Sequence, residues 1–475
     1  MVVMREWPKI YVRDFGPFRE ARIELAPLVA LIGRNSLGKS MLLYLLWALE
    51  NTMPDLPWLA SQVAEAGGPD IASDIVASLE KGGEGLEERV RELMVLNLRG
   101  LAPAWARALE DQLERLYGVS LSELVRVNAA SSEIRIEGRE AVMMIRIKGD
   151  ELDVEWLKPG PEAIVEHINV RSIGSWLTLE YEGRSTNEYI RSVIDVELAM
   201  VKLLNVVIGQ LFETMLGSTG GETALLVDGR AGIIRTLLET HPGHLYIARE
   251  ALAADVDFIS TTQRLIEDLA RRKVELDAPP LRLLLEELGC HLELERKPGI
   301  PRLHVRPWLG PRLPIDRAPS GIREAISPLL SLLSRDFSII YIEEPEAHLH
   351  PRAIRHLARL IAYAINKHGK LVRLTTHSDT FICQLNNLIA LSSTPEVAEE
   401  RGYTREETLR PELVRAYLLE RGDEHVDVIE LPVTEEGFDE SAFEEVAREL
   451  AEERGEALGV LYAREKAGGK AGGSQ

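Results

Sequence analysis

Cysteine is nearly absent from this 475-residue chain. Cys290 and Cys383 stand far apart and outside any metal-ligand spacing. A disulfide framework and a cysteine-based zinc site are therefore excluded, and a reduced, cytoplasmic setting is expected. No run of about 18 uncharged apolar residues occurs, so no transmembrane helix and no membrane partner are expected. The first residues, "MVVMREWPKIYV", carry no signal-peptide pattern. Positive charge is also in deficit. The net charge of −21 opposes binding of nucleic acid by the whole surface and leaves only a local basic groove for it. No internal repeat, sustained heptad pattern or Cys-x-x-Cys hook is present, so no long coiled coil is expected.

What is present is apolar material in plenty: 45% of residues are hydrophobic, and the length suits two or three domains. Residues 9–32 read as strands with a Gly-Pro turn. Residues 53–125 read as polar-faced helices. Residues 131–157 alternate apolar and polar residues around glycine turns, as an antiparallel meander does. Residues 186–216 form the longest helical pattern. "TALLVDGRAGIIRTLL" gives a short strand, a corner at Arg230 and a helix, and "HLELERKPGIPRLHVRPW" gives a hairpin around Lys297-Pro298-Gly299. The Gly-rich tail, 464–475, reads as disordered.

The sharpest motif is "LIGRNSLGKS", residues 31–40. Gly33-Arg34-Asn35-Ser36-Leu37-Gly38-Lys39-Ser40 fits G-x-x-x-x-G-K-[ST], between a buried strand and an apolar helix. Glycines let successive N–H groups converge on phosphate oxygens, and the following helix adds its positive dipole end. Lys39 would reach the β- and γ-phosphates, and the Ser40 hydroxyl would ligate Mg²⁺.

A second motif is "FSIIYIEEPEAHLHP", residues 337–351. Its apolar run reads as a central parallel strand, with Glu343 and Glu344 at the end where open α/β sheets bind ligands. Glu343 would serve the metal and Glu344 would act as the catalytic base. "KLVRLTTHSDTF" places His377 at another strand tip, within reach of a γ-phosphate or the attacking water. Ser320-Gly321 opens a helix and offers a second anion-binding corner. Glu346, His348 and His350 lack the i, i+4 spacing of zinc ligands on one helix. On the helix from Pro351, Ile354, Leu357, Leu360 and Ile361 face inward. Arg352, Arg355 and Arg359 read as a solvated face, with a nucleic-acid groove as the sharper alternative.

The ordered set "GRNSLGKS", "APSGIRE", "IYIEEPEAHLHP" and "TTHS" resembles AAA-type ATPases of the ABC superfamily. Heads of the structural-maintenance-of-chromosomes (SMC) and overcoming-lysogenization-defect (OLD) groups are the most similar in pattern. "VRDFGPFREARIEL" is similar to the entry strands of those heads, and the strands from "VRAYLLE" to "VDVIEL" to their end. The resemblance implies an α/β P-loop head, a mixed sheet flanked by helices, split into residues 1–50 and 300–475 around an inserted helical and antiparallel-β lobe at 51–299. It makes Gly33 to Ser40 the Walker A loop, Ser320 and Gly321 the signature and Glu343 and Glu344 Walker B. Ala347 to His350 become the D-loop and His377 the switch histidine. The chain departs from the pattern in three places. Glu343 replaces the usual Asp, the signature is abbreviated, and no Q-loop glutamine is identifiable, Gln62 lying in the inserted region.

The resemblance further implies an ATP- and Mg²⁺-dependent homodimer with a DNA-related output, in repair or antiviral defence. OLD proteins add a TOPRIM nuclease, but after His377 there is no D-x-D in a strand–loop context, and Asp427 lacks partner acids. A separate effector or nuclease partner is therefore expected; a cryptic or degenerate nuclease in the chain is the alternative. A transporter subunit is disfavoured, because roughly 280 residues separate the loop from the signature.

Overall fold

The computed structural model describes residues 7–217, 222–237, 253–295, 301–441 and 448–461. Its centre is a strand with no exposed side: Leu28–Gly33, "LVALIG", is buried at every position. A strand buried on both faces must have neighbours on both edges and helices above and below. Leu371–Thr376 lies on one edge and Val414–Arg421 on the other, both parallel to it. Phe337–Glu343 pairs in parallel beyond Leu371–Thr376, and Glu222–Leu226 in parallel beyond that. These five strands end together, so their C-terminal tips form one rim.

The sheet continues past Val414–Arg421 through Val426–Leu431, Phe18–Glu24, Lys9–Phe15, Ser132–Glu137, Val142–Lys148 and Glu151–Lys158, eleven strands in all. From Phe18–Glu24 to Glu151–Lys158 each neighbouring pair is antiparallel. Alternation within residues 131–157 correctly marks a meander with one buried face. Its register against Lys9–Phe15 joins it to the head sheet, which the same alternation does not reveal. Residues 51–299, expected as an insertion, thus supply four strands to this sheet: three at one edge and Glu222–Leu226 at the other.

The helical part of that segment is organised by Leu86–Tyr117, 32 residues bounded by left-handed Gly85 and Gly118. At 1.5 Å per residue it extends about 48 Å. It is the longest helix among the described residues, in place of residues 186–216. Pro103 lies inside it and does not end it. The 186–216 pattern begins as an edge of a three-stranded sheet, Ile168–Ile173, Trp176–Tyr181 and Arg184–Tyr189. Its helix starts only at Val193, where the Asp195 carboxylate accepts from the backbone N–H of Ser192 at 3.0 Å. Trp105 joins these parts: its Nε1 donates to Thr52 O at 2.7 Å, and its ring meets Phe212 edge-on at 5.7 Å.

A second small sheet holds Cys290–Glu295, Arg302–Pro307 and Leu313–Pro314. The expected turn at Lys297-Pro298-Gly299 and the tail 464–475 lie outside the described residues. On the helix Pro351–His368 the four apolar positions face inward as expected. Arg359, however, does not belong to a solvated face. It is buried, donates to Glu407 Oε2 at 2.7 Å and to Gly402 O at 2.8 Å, and lies 4.1 Å from the Tyr403 ring centroid. Glu407 neutralises it from 48 residues downstream. No described helix is long and apolar enough to cross a membrane.

Trp105→Ala should remove both an aromatic contact and the partner of a buried carbonyl. A loss of about 3–5 kcal/mol is expected, read as a lower denaturant midpoint; an unchanged midpoint would mean that the helical part and the sheet do not fold as one unit.

Candidate functional site

The rim begins where Leu28–Gly33 runs into its loop. Arg34, Asn35 and Ser36 are exposed, Leu37 and Gly38 are half-buried, and the helix Lys39–Asn51 starts directly after. Gly38 takes φ +83°, and a Cβ there would come within 2.8 Å of the Phe18 ring and 2.9 Å of Pro17. A side chain at this position would push the loop off the turn that leads into Phe18–Glu24. Lys39 is buried, and its Nζ donates to Gly33 O at 2.8 Å and Arg34 O at 2.9 Å. Burial lowers its pKa, while Glu344, Glu346 and Glu343 act in the opposite direction. The three carboxylates therefore sit close enough to be felt by the loop's cation. Ser40 is exposed in the helix's first turn.

The acids stand on the next-but-one strand. Glu343 is buried, and its Oε2 accepts from Tyr44 Oη at 2.5 Å and from the Asp228 N–H at 3.0 Å. Tyr44 lies on the helix Lys39–Asn51, so one hydrogen bond ties the phosphate-loop helix to the acid-bearing strand tip. Burial, then the Glu343 charge, raise the Tyr44 pKa, which keeps the phenol a donor. Glu344 follows with φ +41°, a left-handed conformation that non-glycine residues adopt at a cost of order 1–3 kcal/mol. Its N–H donates to Thr375 O at 3.1 Å, and its Oε1 lies 3.0 Å from His377 Nδ1. Glu344 and His377 both keep solvent access.

Glu346 acts inside the framework. It is 6% exposed, and its Oε1 accepts from Thr376 Oγ1 at 2.5 Å and from the His377 N–H at 3.3 Å. Burial raises its pKa against the lowering effect of the Thr376 bond. The carboxylate thereby joins the turn after Glu344 to the histidine's strand tip. His350 does not join it: its Nδ1 accepts from the Arg352 N–H at 3.3 Å and caps a helix. Among the described residues no cluster of His, Cys, Asp and Glu has the arrangement of a metal cage.

Two residues with no assigned role complete the rim. Glu222–Leu226 ends beside Glu343, and the chain turns through Val227, Asp228, Gly229 and Arg230. Asp228 is exposed there, its N–H on Glu343 and its Oδ1 accepting from the Gly229 N–H at 2.7 Å. Arg230 is fully buried. Its Nη1 donates to Val227 O at 2.8 Å and Glu343 O at 2.6 Å, its Nη2 to Glu344 O at 3.0 Å, and its Nε to Glu324 O at 3.1 Å. Glu324 Oε2 lies 3.1 Å from the same Nε. Burial lowers the Arg230 pKa and the Glu324 charge opposes this first. The "DGRAG" corner at a strand end was the visible signal; its partners were not visible.

Ser320 opens the helix Ser320–Leu333 and is exposed. Gly321 fits against the turn after Glu344: a Cβ there would meet His348 O at 2.8 Å. The structure thus gathers Lys39, Glu343, Glu344 and His377 on one rim. Ser320 and Gly321 sit at an exposed helix start joined to that rim through the corner and the 347–350 turn. On the other side of the loop, a cleft of about 730 Å³ lies between Pro17, the loop residues Gly33 to Leu37 and the strand ends near His425.

Residues 236–382 match the family model described as "AAA domain, putative AbiEii toxin, Type IV TA system". The matched segment holds Ser320, Glu343, Glu344 and His377; the phosphate loop precedes it. No curated protein matches the chain in sequence. Among solved structures, the chain is similar to an SMC head bound to the C-winged helix domain of ScpA, at 12% identity and TM-score 0.42, over 90% of this chain and 98% of that one. It is also similar to an SMC head with an extended coiled coil bound to the C-terminal domain of ScpA, derived from Pyrococcus furiosus (12%, TM-score 0.40, 94% and 100%). A third is the SMC head domain from Thermotoga maritima (11%, TM-score 0.35, 89% and 98%). The phosphate loop and acidic strand tip, together with the AAA-domain match over residues 236–382, are the parts of an ATPase-type site.

Proposed function

We propose that the chain is an ATP-hydrolysing switch whose two copies close on ATP and reopen after hydrolysis. The observation that carries this reading is the Tyr44–Glu343 hydrogen bond, which holds the phosphate-loop helix against the acidic strand tip. The N–H groups from Gly33 to Ser40 and the Lys39 ammonium would bind the β- and γ-phosphates. Lys39 would exchange its carbonyl partners for phosphate oxygens. The base and ribose would lie toward the cleft beside Pro17 and His425.

Ser40 and Glu343 supply hard oxygen donors, the kind Mg²⁺ selects. Mg²⁺ bound there would neutralise charge on the β- and γ-oxygens. Asp228, at the neighbouring strand tip, is a further polar group beside Glu343. Glu344 would take the proton of the attacking water as its oxygen bonds to the γ-phosphorus and the bond to the β–γ bridging oxygen breaks, giving ADP and phosphate. His377 would hold Glu344 in position and donate toward the γ-phosphate.

A nucleotide bound on this rim leaves its γ-phosphate open on one side, and electrostatic stabilisation is strongest where water is excluded. The exposed start of Ser320–Leu333 supports closure by a second copy in an isologous dimer, with Ser320 and Gly321 facing the partner's γ-phosphate. Dimerisation would then be linked to ATP binding. The OLD-like pattern points to a DNA-related role, in repair or antiviral defence, through a separate effector chain.

Lys39→Ala should abolish or greatly weaken nucleotide binding. Glu344→Gln should keep binding and lose about 10²–10⁴-fold in turnover; wild-type turnover in this variant would remove the base assignment. In the Glu344→Gln background, light scattering should show an ATP-driven dimer, and Ser320→Arg should block it while leaving ATP bound. Purified protein should leave plasmid, linear and single-stranded DNA intact with Mg²⁺ or Mn²⁺. Cleavage that disappears on substituting Asp427 or another C-terminal carboxylate would place a nuclease in the chain itself.

A further inference from the structure

The corner Val227–Ala231 touches two things that the proposed function treats separately. On one side it holds the catalytic strand tip: Asp228 N–H to Glu343 Oε2, Arg230 Nη1 to Glu343 O and Arg230 Nη2 to Glu344 O. On the other it holds the first turns of the signature helix. Arg230 Nε donates to Glu324 O, the Ala231 N–H donates to Glu324 Oε1 at 2.9 Å, and Arg323 Nη1 donates to Ala231 O at 2.7 Å. The Arg230–Glu324 ion pair closes the set, with 0% and 1% side-chain exposure. Glu324 lies one helical turn from Ser320. Arg230 therefore spans from the helix start that would meet a partner's nucleotide to the backbone that aims the chain's own base.

We infer that this corner couples the two ATP sites of the dimer, so that engagement of one chain's signature helix by the partner's nucleotide sets Glu344 of that same chain for hydrolysis. This inference rests on the proposed ATP-closed dimer and adds a route between its sites. The route is short and stiff. The guanidinium is planar, and its donors point in fixed directions at four carbonyls and one carboxylate. Glu344 holds a left-handed backbone, a conformation that persists only when its surroundings over-determine it. Arg230 and the Ala347 N–H on its carbonyl, and Thr375 on its N–H, are bonds that do so, and of these Arg230 alone reaches the signature helix. A shift at Ser320 cannot be absorbed at the helix start, because Gly321 is packed against His348 O and Glu324 is bonded to the corner. It passes to the strand tip instead. Arg230 and Glu324 are positioning residues: their side chains are buried away from substrate and act through Glu343 and Glu344.

The test is Glu324→Gln, which keeps an acceptor for the Ala231 N–H and removes the charge, with Arg323→Ala as a second variant that leaves no buried charge unpaired. Folding is checked by thermal melting, ATP affinity by titration of a fluorescent analogue, and dimer closure by scattering in the Glu344→Gln background. Wild-type turnover should rise sigmoidally with ATP, with a Hill coefficient approaching about 2, the number of sites. Glu324→Gln should bind ATP and dimerise as the wild type does. Its turnover should fall about 100-fold in kcat with KM unchanged, as misplacement of a reacting group by about 1 Å produces. At a protein concentration high enough to keep the chain dimeric throughout the ATP titration, its Hill coefficient should drop to about 1. Arg323→Ala should move the same way by a smaller factor. Failure of ATP to dimerise the Glu344→Gln protein would sink the dimer reading itself. If the dimer forms but wild-type turnover is hyperbolic, or if both variants keep the wild-type kcat and Hill coefficient, the coupling through the corner is wrong and the dimer reading stands.

Discussion

A single buried guanidinium sets the geometry of the rim. Arg230 donates to the carbonyls of Val227, Glu343, Glu344 and Glu324 and pairs with the Glu324 carboxylate. Val227, Glu343 and Glu344 lie at strand ends, and Glu324 O lies in a helix where the i+4 residue, Pro328, has no N–H to offer; a buried carbonyl left unpaired costs about 1–3 kcal/mol. A lysine at 230 would bring three donors on a flexible stem and no plane to fix them. Replacing a buried ion pair by well-packed apolar residues is often neutral or stabilising, so the pair is weak evidence for stability alone. Its value here is directional. It fixes where the Glu343–Glu344 backbone points, and through it where two carboxylates point.

The legible half of the site was the half written in consecutive residues. The glycine spacing of Gly33 to Ser40 needs only a strand before and a helix after, and both are local patterns. Glu343 and Glu344 could be placed because an apolar run ends immediately before them, and His377 because "KLVRLTT" does the same. The illegible half joins residues far apart in the chain. Arg230 meets Glu343 across 113 residues and Glu324 across 94, and Asp228 meets Glu343 across 115. No periodicity carries such information, so the corner could be seen but not given a role. Glu346 was weighed only as a metal ligand because its partner, Thr376, is 30 residues away.

The same limit explains the fold. Alternation in Val142–Lys148 correctly assigns a buried face, because period two is a property of one strand. Which sheet that strand joins is a property of two, and the register of Ser132–Glu137 against Lys9–Phe15 decides it. Arg359 on Pro351–His368 misled for a different reason. Tertiary packing overrode a local preference: Glu407 with Tyr403 made a buried place for it.

Charge sets the terms on which such a rim can take a polyphosphate. The chain carries a net −21, and the rim adds Glu343, Glu344 and Glu346 within the electrostatic reach of Lys39, with Asp228 beside Glu343. Like charges at about 4 Å repel by roughly 1 kcal/mol in water and several-fold more at an effective protein dielectric. Four carboxylates against one buried ammonium therefore disfavour a bare nucleotide, whatever the loop N–H groups contribute. Burial raises the Glu346 pKa, and its bonds to Thr376 and the His377 N–H commit it to the protein framework. On the proposed reading, Ser40 and Glu343 would be the oxygen donors for a divalent cation, and a rim this acidic would favour the metal-bound nucleotide over the free one.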